Sequence, residues 1–261
     1  MGEIDFALLA PPLLAGLLVL ATHVPLGAQV LRRGIVFIDL AIAQIAALGV
    51  IVAGLFSPEP GGWLVQGAAA VAAVGGAVLL TWTERRWPRV QEAQIGTLFV
   101  LAATGGILLL AHNPHGGEHL RDLLAGQILW VSLPQLALPA AVSAAIVATM
   151  IALRGRLERL GFYLVFAFAV TVSVQLVGVY LVFASLIIPS LATRNYPRAR
   201  QAAFAYVIGA AGYAAGLVLS AVFDLPSGAL IVWCLAGLAI VAYAAGPRVD
   251  GVGAAKVGGA H

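Results

Sequence analysis

Eight long apolar runs, each able to cross a lipid bilayer as a helix, dominate this sequence of 261 residues. A transmembrane helix needs about 20 mostly apolar residues, because the hydrocarbon core of a bilayer is about 30 Å thick. The helices are predicted at residues 6–31, 34–56, 63–83, 93–111, 134–153, 160–181, 201–222 and 228–245, with shorter segments at 119–131 and 182–193. Apolar residues make up 62% of the chain and charged residues 10%, which leaves no stretch for a soluble domain. The sequence therefore predicts an all-α polytopic transmembrane bundle that forms one domain over residues 1–261.

The positive charges indicate how the bundle is oriented. Thirteen of the fourteen Lys and Arg residues lie in five connectors between or after the apolar runs: Arg32–Arg33, Arg85–Arg89, Arg154–Arg159, Arg194–Arg200 and Arg248–Lys256. Because positive connectors stay in the cytoplasm, the N-terminus is predicted outside and the C-terminus inside, with a disordered tail at 247–261. The acidic N-terminus lacks the basic region of a cleavable signal peptide, so the first run is predicted to remain a helix. These features predict a multi-pass protein of the bacterial cytoplasmic (inner) membrane that contacts lipid and no nucleic acid.

This topology closes only if two segments of the chain are interrupted. Segment 119–131 has to enter and leave the membrane on the same side, so it is predicted to be re-entrant. Residues 160–193 have to cross twice in 34 residues, so one pass is predicted to be a short or broken helix that ends near Pro189. Irregular backbone at membrane depth is tolerated only where protein or a water-filled cavity surrounds it. Two interrupted segments therefore indicate a transport pathway and not a simple anchor.

Several motifs of enzymes are absent from the sequence. It contains no GxxxxGK[ST], HExxH, CxxC or GxSxG, and its only lysine, Lys256, lies in the tail. The chain therefore cannot hydrolyse a nucleotide by the P-loop mechanism. It is predicted not to be an enzyme and to hold no permanent cofactor, so its energy has to come from a partner subunit or an ion gradient.

Asp39 is the acidic residue that points most directly to a function. Ten of the eleven acidic residues lie in connectors, at helix ends or in the tails, whereas Asp39 is predicted inside a span, about two turns beyond Arg33. A charge at bilayer depth costs several kcal/mol, so the residue is expected to face a pathway or a partner. The alternative is an acid that snorkels or caps its helix near the cytoplasmic end. Gln44, about 140° further round the helix, is predicted to flank the same sector.

Two other patterns have two interpretations each. The outer loop contains three histidines and a carboxylate, His112, His115, Glu118 and His119, which either capture a metal ion such as zinc or form solvated surface. The glycines Gly209, Gly212 and Gly216 have the spacing of close helix–helix packing or a dimer face, but glycine is also common in membrane helices.

Four stretches of the sequence resemble one family of transporters. Residues 177–194 read VGVYLVFASLIIPSLATR, residues 25–39 read PLGAQVLRRGIVFID, and shorter matches are LAGQIL at 124–129 and DLPSG at 224–228. In register from about residue 11 to 245, these stretches resemble the signatures of the permeases of zinc/manganese-type ABC importers. The resemblance implies a homodimer with a central path, a separate cytoplasmic ATP-binding subunit, and an extracytoplasmic metal-binding protein that delivers the ion.

The resemblance also implies roles for individual residues. Asp39 matches an acid of the metal path, and Gln44 is the candidate for the place of the histidine that follows one turn later, since position 43 is alanine. The short cytoplasmic segment at 154–161 is the candidate for coupling to the ATPase, with these residues: Arg156, Glu158 and Arg159. The candidates for a helix break or gate are Pro189 and Asp224.

The predicted function is that of the permease subunit of an ATP-driven importer of divalent metal ions, with Zn²⁺ the first candidate and Mn²⁺ the second. One alternative is a permease for a metal chelate of the siderophore or cobalamin kind, which would be indifferent to Asp39. The other is a gradient-driven transporter or channel without an ATPase, although one deep acid offers few groups for an ion-coupled relay.

Overall fold

The computed structural model describes residues 6–56, 63–110, 128–153 and 159–247. Nine α-helices occupy these ranges: α1 Phe6–Arg33, α2 Ile38–Phe56, α3 Trp63–Arg86, α4 Gln91–Leu110, α5 Ala137–Ala152, α6 Arg159–Val177, α7 Val179–Ala192, α8 Arg198–Phe223 and α9 Ser227–Ala245. The same ranges hold short 3-10 turns at Pro88–Val90, Ile128–Trp130 and Leu133–Leu136, and no strand. Eight segments are long and apolar enough to cross a membrane, namely every helix except α7, with α5 joined to the turn before it. The predicted polytopic helical bundle is confirmed.

The short helix α7 lies at the centre of the bundle. It contacts α1, α2, α6, α8 and α9, and most of its side chains are buried. Around it, α2, α3 and α4 pack against one another on one side, and α8 packs against α9 and α1 on the other. Among the described helices, α5 packs mainly against α1 and α6, and many of its side chains are exposed.

Contacts between helix ends bring the arginine clusters to one end of the bundle, called here the arginine end. The Arg33 guanidinium stacks over the Phe162 ring at 4.1 Å, which joins the end of α1 to the start of α6. The Arg194 guanidinium donates a hydrogen bond of 3.1 Å to the Tyr243 hydroxyl, which joins the end of α7 to the end of α9. The arginine clusters at the described helix ends therefore share a side of the bundle, as the positive-inside pattern requires.

The second helix begins later than the sequence predicted. Gly34 has a φ of 70°, a left-handed conformation that glycine adopts at little cost and that commonly ends a helix. Residues 34–37 therefore form a turn, and α2 starts at Ile38 and not at residue 34. As a result Asp39 is the second residue of α2, in its first turn, and not two turns inside a continuous span.

The break between the two passes of segment 160–193 lies at Gly178, slightly before the predicted boundary between residues 181 and 182, and the short pass ends at Ala192, close to Pro189 as predicted. Gly178 has φ 81° and ψ 163°, which residues with a side chain rarely adopt, and it separates α6 from α7. Pro189 lies inside α7, which continues to Ala192. A proline removes one backbone hydrogen bond, but neighbouring helices hold α7 in place around it. One pass is nevertheless a short helix, as predicted, because α7 has 14 residues.

The spaced glycines of α8 pack against helices of the same chain. A Cβ atom at Gly212 would lie 3.2 Å from the Cα of Leu235, and one at Gly216 would lie 2.7 Å from the backbone nitrogen of Ile231. One at Gly209 would lie 2.5 Å from a methyl group of Leu20 on α1. These glycines let α8 approach α9 and α1 closely, so of the interpretations given above the structure selects helix–helix packing within the chain.

Candidate functional site

Asp39 is a fully buried carboxylate that has no partner in the described part of the chain. Its exposed fraction is 0%, and neither of its carboxylate oxygens has a hydrogen-bond partner there. Other buried polar atoms of the described residues are also unpaired, among them one carboxylate oxygen each of Glu84 and Glu92, but of these carboxylates Asp39 alone lacks a partner on both oxygens. An unpaired carboxylate is the most costly group to leave in an apolar interior. The unpaired carboxylate therefore suits a bound cation that is not part of the protein.

The local sequence explains why Asp39 is buried although it lies at a helix start. The turn at residues 34–37 is fixed to α4, because the backbone N–H of Phe37 donates a hydrogen bond of 3.2 Å to Oε1 of Glu92. From there α2 runs between α3, α4, α6 and α7, which leaves its first turn covered. The position of Asp39 in that first turn also favours a negative charge, because the helix dipole is positive at the N-terminus.

Gln44 is also buried, and it lines a cavity. Its exposed fraction is 5%, and the cavity beside it has a volume of ≈ 520 Å³ between α2, α4, α7 and α9. The wall is mainly apolar, with Leu40 from α2, Phe99 from α4 and Phe183 from α7. Leu40 and Gln44 are four residues apart and share one face of α2, whereas Asp39 is not among the lining residues. The two predicted path residues therefore occupy adjacent faces of α2 and not one common cavity.

The described residues do not form a storage site for a metal ion. No group of three or more His, Cys, Asp or Glu side chains comes together within the described ranges. A cation at Asp39 would therefore meet few strong ligands from this part of the chain. Weak ligation suits transport, because an ion that crosses a membrane has to leave each site as readily as it enters.

The remaining candidate residues have different outcomes. The loop residues His112, His115, Glu118 and His119 lie outside the described residues, as do Arg156, Glu158 and most of segment 119–131. Arg159 is the first residue of α6. Asp224 is exposed and ends α8 in a left-handed conformation with φ 51°. The roles of all these residues in metal capture, coupling or gating stay predictions.

The structure reveals a polar network that the sequence reasoning missed. Nε2 of Gln91 at the start of α4 donates hydrogen bonds of 3.2 Å to the Leu80 carbonyl of α3 and 3.3 Å to the Tyr163 hydroxyl of α6. The Tyr163 hydroxyl also hydrogen-bonds the Glu84 carboxylate. The available signal was two polar residues beside apolar runs, Gln91 and Tyr163, but the sequence does not indicate that their helices meet. This network fixes three helices together at the arginine end.

His23 is buried in α1, and its hydrogen bonds lie within that helix. Its Nδ1 is 2.9 Å from the Val19 carbonyl and 3.0 Å from the Thr22 hydroxyl. Since a carbonyl can only accept, the Nδ1–H donates to Val19. His23 is therefore not a ligand assembled with Asp39 by any contact in the described part of the chain.

Comparison with known proteins identifies relatives of this chain. The model of the ABC 3 transport family matches residues 5–158 and 147–246, which together span nearly the whole chain. A chain of PsaBC from Streptococcus pneumoniae, solved in complex with Fab, superposes with a TM-score of 0.73 at 20% sequence identity, over 93% of both chains. A transporter described as of the metal-chelate ABC type, in an inward-facing conformation, superposes with a TM-score of 0.65 at 17% identity, over 89% of this chain and 84% of that one. These two structures share the fold, and the family match confirms the resemblance that the sequence motifs predicted.

Proposed function

We propose that this chain, which belongs to the ABC 3 transport family, is the membrane subunit of an ATP-driven importer of divalent metal ions in a bacterial inner membrane. Zn²⁺ is the first candidate for the cargo and Mn²⁺ the second. Two copies of the chain form a central path, a separate subunit hydrolyses ATP, and an extracytoplasmic protein delivers the ion near the loop at 112–119. The chain itself makes and breaks no covalent bonds.

The observation that carries this proposal is the unpaired, fully buried carboxylate of Asp39. A membrane protein gains nothing in stability from such a group, because its burial costs several kcal/mol without a compensating bond. A passing cation supplies the missing interaction only while it is bound. Asp39 is therefore assigned to the path, where it lowers the energy of a divalent ion inside the helix bundle.

Gln44 and the break at Gly178 support a path next to α2. The carbonyl oxygen of the Gln44 side chain is a hard and weak ligand compared with imidazole, so it assists an ion without retaining it. The short helix α7 and Gly178 lie on the same side of α2 as the cavity, whose wall includes Val179 and Tyr180. In this proposal the partner ATPase moves the helices by acting on the connector that contains Arg156, Glu158 and Arg159.

The first experiment measures total cellular zinc and manganese in a host that lacks its own importers. The host expresses this chain with the proposed ATPase and binding-protein partners, as wild type, Asp39→Ala and Asp39→Asn. We expect a rise in zinc with the wild type and none with either variant, because an amide cannot neutralise a divalent cation. Thr104→Val is the matched control, since the Thr104 hydroxyl is exposed and bonds only to carbonyls of its own helix.

The possible outcomes distinguish the identity of the transported metal from the role of Asp39. A rise in manganese alone would reassign the cargo and retain the site. Equal uptake by wild type and Asp39→Asn would remove Asp39 from the path. If an assembled complex raises neither metal, import of free ions is wrong.

A permease for a metal chelate is the second candidate, and the cavity beside Gln44 favours it. A volume of ≈ 520 Å³ with mainly apolar walls lies in the range of small-molecule pockets, about 300–1,000 Å³. The structural relative described as of the metal-chelate type has the same fold. A chelate permease would accumulate iron or cobalt from a supplied chelate and would keep that activity in Asp39→Asn.

A further inference from the structure

A second cavity lies at the arginine end, on the opposite side of α7 from Gln44. It has a volume of ≈ 330 Å³ and lies between α1, α5, α7 and α8. Its polar wall consists of Gln29 and Arg32 from α1 and Arg198 and Gln201 from α8, and none of the described residues that line it is acidic. The metal path proposed above does not use this cavity, and two guanidinium groups would repel a divalent cation from it.

The two arginines of this cavity differ from Arg33 and Arg194 at the same end, whose guanidinium groups are engaged by aromatic side chains. Arg33 stacks over Phe162, and Arg194 bonds to Tyr243. Within the described part of the chain, by contrast, no hydrogen bond or ion pair engages Arg32 or Arg198. Two such cations and two amide groups on facing helices form a site for an anion, and arginine is especially suited to phosphate because it can donate two parallel hydrogen bonds.

The opposite wall of the cavity is apolar. Val147, Met150 and Ile151 from α5 form it, and Ile151 is 70% exposed at the rim. A small inorganic anion has no apolar part that could pack against such a wall, whereas an amphiphile can bury its hydrocarbon groups there. The rim residue also indicates that the wall continues onto the exposed surface of α5.

We propose that this cavity binds the phosphate group of an anionic membrane phospholipid. Arg32 and Arg198 hold the phosphate, Gln29 and Gln201 donate further hydrogen bonds, and the α5 wall contacts the glycerol and the first acyl carbons. The depth agrees with this ligand, since Arg32 lies in the last turn of α1 and Arg198 begins α8, where a membrane span meets the headgroups. Basic pockets between transmembrane helices at this level bind anionic headgroups.

Native mass spectrometry of the full-length chain, titrated with phosphatidylglycerol or phosphatidylcholine, tests the proposal. We expect the wild type to retain phosphatidylglycerol in preference to phosphatidylcholine, because the arginines repel the choline ammonium group. The double variant Arg32→Gln/Arg198→Gln is expected to bind phosphatidylglycerol about thirtyfold more weakly, since each arginine near a membrane surface contributes about fivefold. The matched control is Arg85→Gln/Arg89→Gln, two exposed arginines of the same end that do not line the cavity.

A second pair of variants tests the cavity without changing charge. Ala202 lines the cavity and its neighbour Ala203 does not, although both are exposed. Ala202→Phe is expected to expel the lipid, and Ala203→Phe to leave binding unchanged. Three results would overturn the proposal. The first is an equal loss of phosphatidylglycerol binding in both double arginine variants, and the second is equal binding in Ala202→Phe and Ala203→Phe. The third is displacement of the lipid by inorganic phosphate alone. The last result would assign the site to a free anion.

Discussion

Buried polar groups are treated differently in two regions of this bundle. Where α7 packs against α8, the Ser185 hydroxyl donates a hydrogen bond of 2.6 Å to the Leu181 carbonyl. The Tyr213 hydroxyl lies 2.8 Å from the Ser185 hydroxyl and therefore donates a hydrogen bond to it. At the start of α2, the Asp39 carboxylate is equally buried and has no partner in the described part of the chain. In the first region, called here the closed region, the buried Ser185 and Tyr213 hydroxyls have hydrogen-bond partners. In the second, called here the open region, the buried Asp39 carboxylate is available to a cation.

The difference indicates that residues that stabilise the fold and residues that act in transport lie in different regions of the chain. A satisfied pair such as Ser185–Tyr213 holds two helices in one arrangement, whatever the transport state. An unsatisfied carboxylate contributes little to the fold and much to whatever cation approaches it. Substitutions in the closed region should therefore reduce stability, and those in the open region should reduce transport.

The largest expected effect is in the closed region, at Gly216. Gly216→Leu places a side chain where the backbone of Ile231 already lies, so α8 and α9 have to separate. Overpacking of this kind costs about 3 kcal/mol, and the variant is expected to lose most of its folded protein. Thermal unfolding in detergent measures it, with Gly237→Leu as the control, because no atom lies within 4 Å of the Cβ position of Gly237. Equal stability of the two variants would contradict the packing described here.

The next effect is in the open region. Asp39→Asn is expected to lower the rate of metal uptake per folded protein at least about tenfold, or about 1.4 kcal/mol, while unfolding is unchanged or occurs at a higher temperature. The physical reason is that the amide removes a charge that no protein group balances. Uptake of a radioactive or isotope-labelled metal into proteoliposomes, with thermal unfolding of the same preparation, measures both. A loss of stability without a loss of transport would reverse the comparison.

A smaller effect is expected from Tyr213→Phe. This change removes one hydroxyl from the closed region and leaves the ring in place, so the cost should be that of one interhelical hydrogen bond, about 0.6–1.7 kcal/mol. Transport per folded protein should stay near the wild-type rate. Thermal unfolding beside the uptake assay checks this, and a large loss of uptake at normal stability would show that the closed region also takes part in transport.

The smallest effect tests whether Gln44, which lines a cavity that Asp39 does not line, belongs to the same path. Gln44→His replaces an amide with an imidazole, a better ligand for zinc, in the cavity beside α7. The zinc concentration for half-maximal uptake is expected to fall about threefold, or about 0.7 kcal/mol. Gln44→Leu, which keeps the volume and removes the ligand, is the comparison. Identical zinc dependence in the two variants would separate Gln44 from the path.

The sequence predicted the helices well because their signal is local. Each apolar run between arginines marks a span, and the bounds of α3 and α9 agree within a few residues. Two boundaries were missed for a physical reason. Gly34 and Gly178 act through a positive φ that the sequence does not reveal, whereas Pro189 is a conspicuous helix breaker that its neighbours tolerate.

The candidate site was predictable only in part. Asp39 stood out because a carboxylate in an apolar run is costly, and the structure buries it completely. The cavities were not predictable, because each takes its wall from helices far apart in sequence. Arg32 and Arg198 illustrate this, since their sequence context indicates topology alone and only the packing of α1 beside α8 brings them to one cavity.

The length of α7 also constrains how the protein is made. Fourteen residues of helix rise about 21 Å, well short of a bilayer core of about 30 Å, so this segment cannot be held in the membrane as an independent span. Its contacts include α8 and α9, which the ribosome synthesises later. The contacts of the central helix α7 are therefore completed only after α8 and α9 have been synthesised. A nascent chain that ends before α8 exposes an apolar helix whose partners do not yet exist.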